Sequence, residues 1–329
     1  MMKAAWFEEF GPAARVLVAG EQPTPEPAKG EVLVRLMTSG VNPSDVKKRA
    51  GAFPNLLDDG LIIPHSDGAG VIESLGQGVS DRQVGERVWI YQAQFGRRFG
   101  SAAEYVAIDN SRAPLLPDNT SFEIGACLGI PVMTAHRCVF ADGPVDGQTI
   151  LVTGGAGRVG HYAIQWASQA GAFVVATSSC PEDDQTCIDA GAKAVVNHRQ
   201  AGWYKEVLKH LDQRKVDRVI DVEFGANLPE VLNLIRVGGT IATYASTHVP
   251  EPKLPFLKMM FMDLTIRLVI VYAMPEEAKQ QAISDIDQKL KDGQLHHRVA
   301  RTLPLGEIAG AHEIIEQGSC RGCVLVTMN

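Results

Sequence analysis

"ILVTGGAGRVGHYAIQW" (150–166) is the stretch on which this chain turns. An apolar run of strand character meets four glycines, Gly154, Gly155, Gly157 and Gly160, and then residues spaced as on an amphipathic helix. Gly155, Ala156, Gly157, Arg158, Val159 and Gly160 fit the pattern G-x-G-x-x-G. The first N–H groups of a helix have no partner within it, and glycines remove the Cβ atoms that keep a phosphate away from the backbone. The corner is therefore expected to hold the pyrophosphate of a dinucleotide, with a ligand-free glycine turn as the alternative.

The neighbouring sequence supplies the context that this pattern needs. From about 148 to 246, strand and helix patterns alternate: "TILVTG", "GHYAIQWASQAG", "FVVATS", "DDQTCIDAG", "KAVVNH", "WYKEVLKHL", "VDRVIDVE", "LPEVLNLI" and "GGTIATYA". Such alternation predicts βαβ units around a parallel sheet. The first 120 or so residues instead read as strands and turns, among them "EVLVRLMTSGV", "GAGVIESLG", "ERVWIYQ" and "AAEYVAI". Gly and Pro punctuate them as in a partly open barrel. Between these regions, "SFEIGACLGIPVMTAHRCVFA" predicts one largely buried helix. Beyond 262, "DLTIRLVIVYAM" (263–274) predicts a strong strand, and a helix, a second helix and the closing strand "GCVLVTM" follow. The nucleotide domain thus reads as inserted between two parts of another domain.

The strand after the glycine corner reports on the adenosine ribose. An acidic side chain at its end bonds the 2′-hydroxyl of NAD and repels a 2′-phosphate. Here the strand ends in Thr177, Ser178 and Ser179, whose small hydroxyls leave room for a phosphate and can donate to it. That favours NADPH. His198 and Arg199, after the following strand, would add positive character, whereas Glu182, Asp183 and Asp184 argue the other way. Ser179 also suits an ordinary helix N-cap.

Bulk properties narrow the class. The 329 residues are 45% hydrophobic and 21% charged, with a net charge of −7 and no long run of one sign, so neither nucleic acid nor an anionic membrane is an expected partner. The acidic start "MMKAAWFEEF" does not suit a signal peptide, and no apolar stretch reaches the length of a membrane span. A cytoplasmic location is expected. Six cysteines without a secretion signal are expected to be thiols, and Cys320–Cys323 lacks the second ligand pair of a zinc knuckle.

With these segments in order, the chain resembles the zinc-free quinone oxidoreductase (zeta-crystallin-like) branch of the medium-chain dehydrogenase/reductase superfamily. The resemblance rests on "SGVNPSDVKKRAG" (39–51), "SDGAGVIESLGQGV" (66–79), "GERVW" (85–89), "GSAAEYVAI" (100–108), "GIPVMTAHRCV" (129–139), "LVTGGAGRVG" (151–160), "AGAKAVVNHR" (190–199) and "LPLGEIAGAHEIIEQG" (303–318). It implies an α/β fold: a Rossmann doubly wound parallel sheet at 125–262, and a GroES-like β-barrel catalytic domain formed by 1–124 and 263–329. The zinc-ligand positions of the alcohol dehydrogenases fall on Asn42, Ser66 and Pro131, and no cysteine lies in "YQAQFGRRFGSAAEY", where a structural zinc lobe would be, so no metal is expected. The implied chemistry is hydride transfer from NADPH to a quinone or an α,β-unsaturated carbonyl. The alternatives are an NADH-using enoyl or carbonyl reductase and a dinucleotide-binding protein with little turnover.

By the same resemblance, Asn42 would offer its amide to the substrate carbonyl, with a turn residue before Pro43 as the alternative. Lys47 stands where many relatives carry Tyr; it would stabilise an enolate or quinol oxygen, or else belong to a solvated face with Lys48 and Arg49. Thr134 would lie near the nicotinamide ribose, and Tyr272 would line the nicotinamide pocket. A homodimer joined along the edge strand 263–274 is also implied.

Overall fold

The computed structural model describes residues 1–318 and 320–328. The chain divides into two compact units, one of Met1–Ile130 with the segment from Ile283 onward, the other of Pro131–Ala282. The nucleotide unit is an insertion, but its limits differ from the expected 125–262. It starts a few residues later, and it keeps 263–282, because the sheet takes one more strand before the chain leaves it.

The first unit is built on the eleven-residue strand Glu31–Val41. This strand pairs antiparallel with Asp67–Leu75, with Tyr105–Asp109 and with Cys323–Thr327, while Arg87–Ile90 extends the sheet beyond Asp67–Leu75 and Val299–Pro304 extends it beyond Cys323–Thr327. Inward side chains from these strands, including Val32, Val34, Leu36, Ile72, Val88, Ile90, Val106, Ile108, Val324 and Val326, form one core. Burying each contributes roughly 1.5–3 kcal/mol before entropy is counted. The mixed antiparallel sheet follows from short β-rich segments separated by Gly and Pro.

The second unit holds a six-stranded sheet in the order Thr265–Leu268, Ile235–Thr243, Val216–Asp221, Thr149–Val152, Phe173–Ser178, Ala194–Asn197, parallel throughout. Ile150, Leu151, Val152, Val174, Val175, Val219, Ile220 and Ile241 are all buried. A parallel sheet covered on both faces requires such unbroken apolar strands, and this explains why they do not alternate with polar residues. The two strands that follow Thr149–Val152 in the chain lie on one side of it and the last three on the other. Ligands of doubly wound sheets bind at this reversal, beyond the C-terminal strand ends, and there the glycine corner stands.

Two expected elements are corrected. The single helix over 121–141 is broken into a short helix Phe122–Gly125, a π-turn Leu128–Val132 and a helix Met133–Phe140. Pro131, inside the π-turn, lacks the N–H that a continuous helix would use. The twelve-residue strand 263–274 is in fact Thr265–Leu268, followed by a 3₁₀ turn Val271–Ala273. Its last pair is Leu268 with Thr243, the residue at which the neighbouring strand ends, so the β-branched run beyond it has no ladder to join. This short strand is the edge of the sheet, and Arg267 upon it is held by Asp142, which also binds the buried Arg218. Among the described residues, no helix is long and apolar enough to cross a membrane.

Candidate functional site

At the glycine corner the strand Thr149–Val152 ends and the helix Arg158–Gln169 begins, with Gly157 as its N-cap. Gly154 has φ +61°, the left-handed region that favours glycine. Two hydrogen bonds tie the corner to the next strand: Gly154 N–H donates to Thr177 Oγ1 (3.0 Å) and Gly155 N–H to the Thr177 carbonyl (2.8 Å). A third tie runs to the strand on the other side, where Thr153 Oγ1 donates to Asp221 Oδ1 (2.6 Å). Asp221 is wholly buried and also accepts from Asn227 Nδ2 (2.8 Å), and burial pushes its carboxyl up. Thr153 and Asp221 are supports that the motif alone does not reveal.

The glycines do different things. A Cβ at Gly160 would stand 2.3 Å from the Gly154 carbonyl oxygen, so this position allows helix and turn to touch. A Cβ at Gly157 would meet only the Gly154 oxygen, at 3.1 Å. A Cβ there would be tight against that one backbone oxygen and would meet nothing else within 4 Å; Arg158 and Val159 beside Gly157 are half-buried, whereas Ala156 is buried. That is a backbone cradle which a side chain would fill, and it fits the pyrophosphate of a dinucleotide.

Two strand ends bring together residues expected at the adenosine end. Ser178 pairs with Asn197, and His198 N–H donates to the Ser178 carbonyl (3.1 Å), so Ser178, Ser179, His198 and Arg199 come together. Ser178 is buried, His198 half-buried and Arg199 exposed. The Ser178 hydroxyl donates to Asp184 on the helix Pro181–Asp189. The N-cap of that helix is Cys180, so the alternative assignment of Ser179 as N-cap does not hold. Thr134 is buried in the helix Met133–Phe140, and Tyr272 is half-buried in the 3₁₀ turn rather than on a strand.

The other candidates lie in the first unit. Asn42 is the N-cap of the helix Pro43–Arg49 in a capping box, its own N–H donating to Asp45 Oδ2 (2.8 Å). It is also buried, and its Nδ2 donates to Asp67 Oδ2 (2.8 Å). Lys47 is exposed, whereas Lys48 and Arg49 are buried. Lys48 Nζ donates to the Gln94 carbonyl (3.0 Å) and to Gln94 Oε1 (2.7 Å), and burial pulls its pKa down against the pull of Asp45 and Asp67.

Beside this cluster runs a buried relay. Ser101 Oγ donates to the Asp67 carbonyl (2.6 Å), Ser39 Oγ lies 2.9 Å from Ser101 Oγ and 2.8 Å from His65 Nδ1, and His65 Nε2 lies 3.0 Å from His312 Nε2. If each link carries one proton and Ser39 donates to Ser101, His65 carries its proton on Nδ1 and His312 carries its own on Nε2. His312 Nδ1 is then a bare acceptor, consistent with its having no partner. Both imidazoles are neutral: burial pulls His65 well below the usual range and His312 down to about 3.

Residues 28–118 match the alcohol dehydrogenase GroES-like domain, and residues 159–288 match the zinc-binding dehydrogenase family. The quinone oxidoreductase of Rattus norvegicus is 30% identical over 325 residues, 97% of this chain and 95% of its own. The chain belongs to the quinone oxidoreductase branch of the medium-chain dehydrogenase/reductase superfamily. It is an oxidoreductase, and the human quinone oxidoreductase is 29% identical over the same share of both chains. A mycobacterial protein solved in complex with NADPH superimposes with a TM-score of 0.88 at 26% identity, over 99% of this chain and 100% of that one. A solved NAD-dependent alcohol dehydrogenase superimposes at 0.87, also at 26% identity, over 99% of each chain.

Asn42, Ser66 and Pro131 all lie outside the span 159–288 that matches the zinc-binding dehydrogenases. Among the described residues, no group of three His, Cys, Asp or Glu side chains is placed to hold a metal ion.

Proposed function

We propose that this oxidoreductase reduces a quinone or another conjugated carbonyl with NADPH and without zinc. The observation that carries the reading is Gly157, an N-cap at the reversal of a doubly wound sheet where an added Cβ would meet only the Gly154 oxygen. Gly155, Ala156, Gly157, Arg158, Val159 and Gly160 would seat the pyrophosphate, Thr134 and Tyr272 would adjoin the nicotinamide half, and Ser178, Ser179, His198 and Arg199 would face the 2′-phosphate. NADPH, when bound, supplies a hydride. A conjugated acceptor spreads the incoming charge over several atoms, so it depends less on a Lewis acid than a simple ketone does. Asn42 would donate an amide N–H to the acceptor oxygen, and Lys47 would stabilise the negative charge that develops there. The similarity to quinone oxidoreductases and to an NADPH-bound structure supports this reading.

One observation favours a second reading. Asp184, bonded to Ser178, brings a carboxylate to the adenosine end, which suits the ribose hydroxyl of NADH better than a phosphate. Titrating the protein with both cofactors, then following oxidation of the preferred one with quinones and enones, tests the two readings together.

The proposal includes a homodimer joined along Thr265–Leu268 and a cytoplasmic setting. The edge strand leaves one row of N–H and C=O groups unpaired within its sheet, and Leu268, Ile270, Phe256, Leu257 and Phe261 nearby are exposed apolar side chains. None of the six cysteines is in a disulfide, as suits a reducing compartment.

A further inference from the structure

The structure assigns Asp67 a role of its own: we propose that it is a positioning residue, orienting the Asn42 amide so that an N–H is available to the acceptor oxygen. The inference rests on the functional reading above and deepens it.

Asp67 and Asn42 are both buried, and Asn42 Nδ2 donates to Asp67 Oδ2 at 2.8 Å. The same oxygen accepts the Ile130 N–H at 2.9 Å. An amide can present either its oxygen or its nitrogen to a neighbour, but an unprotonated carboxyl oxygen can only accept, so Asp67 Oδ2 selects the Nδ2 end. Asp67 therefore fixes the end of the Asn42 amide that faces it, and with it the placement of the second Nδ2 hydrogen, for which the structure records no partner.

The seat of the carboxyl is built with unusual closeness. A Cβ on Gly129 would lie 2.1 Å from Asp67 Oδ1. Gly129, the donating Ile130 and Pro131 all belong to the π-turn that interrupts the expected helix. The irregular turn, the missing side chain and the inward N–H thus converge on one carboxyl. Among the described residues Asp67 Oδ1 has no hydrogen-bond partner, a cost that packing alone does not explain. Burial pushes the Asp67 carboxyl up to about 8, with Asp45 raising it further and Lys48 opposing. A proton on Oδ1 leaves Oδ2 accepting from both donors, so the Asn42 orientation holds in either protonation state.

The test compares Asp67→Asn, Asp67→Leu, Gly129→Ala and Asn42→Ala in the full chain. The amide oxygen of Asp67→Asn can take the place of Oδ2, so this variant keeps kcat and the acceptor KM near wild type and rescues what Asp67→Leu loses. Asp67→Leu loses more than about tenfold in kcat/KM for the acceptor, with NADPH affinity unchanged. Adding Asp67→Leu to Asn42→Ala costs little more than Asn42→Ala alone, because both remove the same donor. Full additivity, or an undiminished Asp67→Leu enzyme, overturns the assignment. If Asp67→Leu fails to fold, Gly129→Ala, which crowds the carboxyl while keeping it, serves instead. Independently of turnover, the Asn42 side-chain NH₂ resonances should show slow exchange in wild type and Asp67→Asn and lose it in Gly129→Ala. Identical spectra in all three overturn the proposal. A wild type that oxidises NADPH with no acceptor would instead count against the functional reading, with the resonances still reporting on Asp67.

Discussion

Ser178, at the end of its strand, gives its hydroxyl proton to Asp184, in the first turn of the helix that follows. The hydroxyl taken from sequence as a phosphate donor is thus engaged with a carboxylate, and the two readings of cofactor choice meet in one hydrogen bond. If NADPH is the cofactor, Asp184→Asn removes a negative charge from beside the 2′-phosphate and should tighten NADPH more than NADH. Ser178→Asp should do the reverse, and a shift of about tenfold in the ratio of the two dissociation constants is expected from each. Fluorescence titration with both cofactors reads it. A ratio that stays fixed in both variants would place the phosphate elsewhere.

The glycine corner yields a contrast between two of its members. Gly157→Val should weaken cofactor binding by more than about tenfold and cost less stability than Gly160→Ala, because a Cβ at 157 would stand 3.1 Å from the Gly154 oxygen and one at 160 only 2.3 Å from it. Gly160→Ala should instead lower stability by about 1–3 kcal/mol, since its Cβ would press on the Gly154 carbonyl. Calorimetry and NADPH titration of both variants separate the effects; equal losses of stability would remove the distinction.

How much of this was legible in the sequence differs between the glycine corner and the cluster around Asp67. The glycine corner was, because a strand, a turn and a helix that lie together in the chain also lie together in space. The cluster around Asp67 was not. His65 and His312 are neighbours only because the last helix of the chain returns to the first unit, and Gly129 and Ile130 point at Asp67 only because Pro131 breaks a helix that apolar residues alone would continue. Lys47 and Lys48 differ by one helical step, and "DVKKRA" does not show which of them faces inward. The edge strand was overextended because β-branched residues favour strand locally, whereas the length of the partner strand decides where pairing stops.

Acid should weaken the fold through the histidine pair. His65 and His312 have folded-state pKa values below the ordinary 6.5, so the unfolded chain takes up protons first, and their stabilising effect is fully present above about pH 6.5 and is lost as the pH falls from there toward about 3. Asp67 acts oppositely: its raised pKa, about 8 in the folded state, makes stability rise as the pH falls between 8 and the usual carboxyl range. His312→Leu should therefore flatten the melting-temperature profile between pH 7 and about 4.5 relative to wild type. Parallel profiles would show that the pair does not govern acid sensitivity.

Assembly is best probed at the outward residues of the edge strand. Val269 is buried and its N–H bonds inward to the Thr243 carbonyl (2.7 Å), so Leu268, 74% exposed, is the residue to change. Leu268→Arg should shift sedimentation at micromolar concentration from dimer to monomer while the melting temperature changes little. A wild type that sediments as a monomer would refute the dimer outright.

The central claim is hydride transfer from NADPH to a conjugated acceptor without zinc. Its most direct measurement is the steady-state oxidation of NADPH by metal-analysed, chelator-treated protein across a panel of quinones, enones, simple ketones and aldehydes. The account predicts turnover with at least one quinone or enone, none with the simple ketones and aldehydes, and no zinc in proportion to protein. Turnover confined to simple ketones or aldehydes, present before chelation and abolished by it, would contradict it.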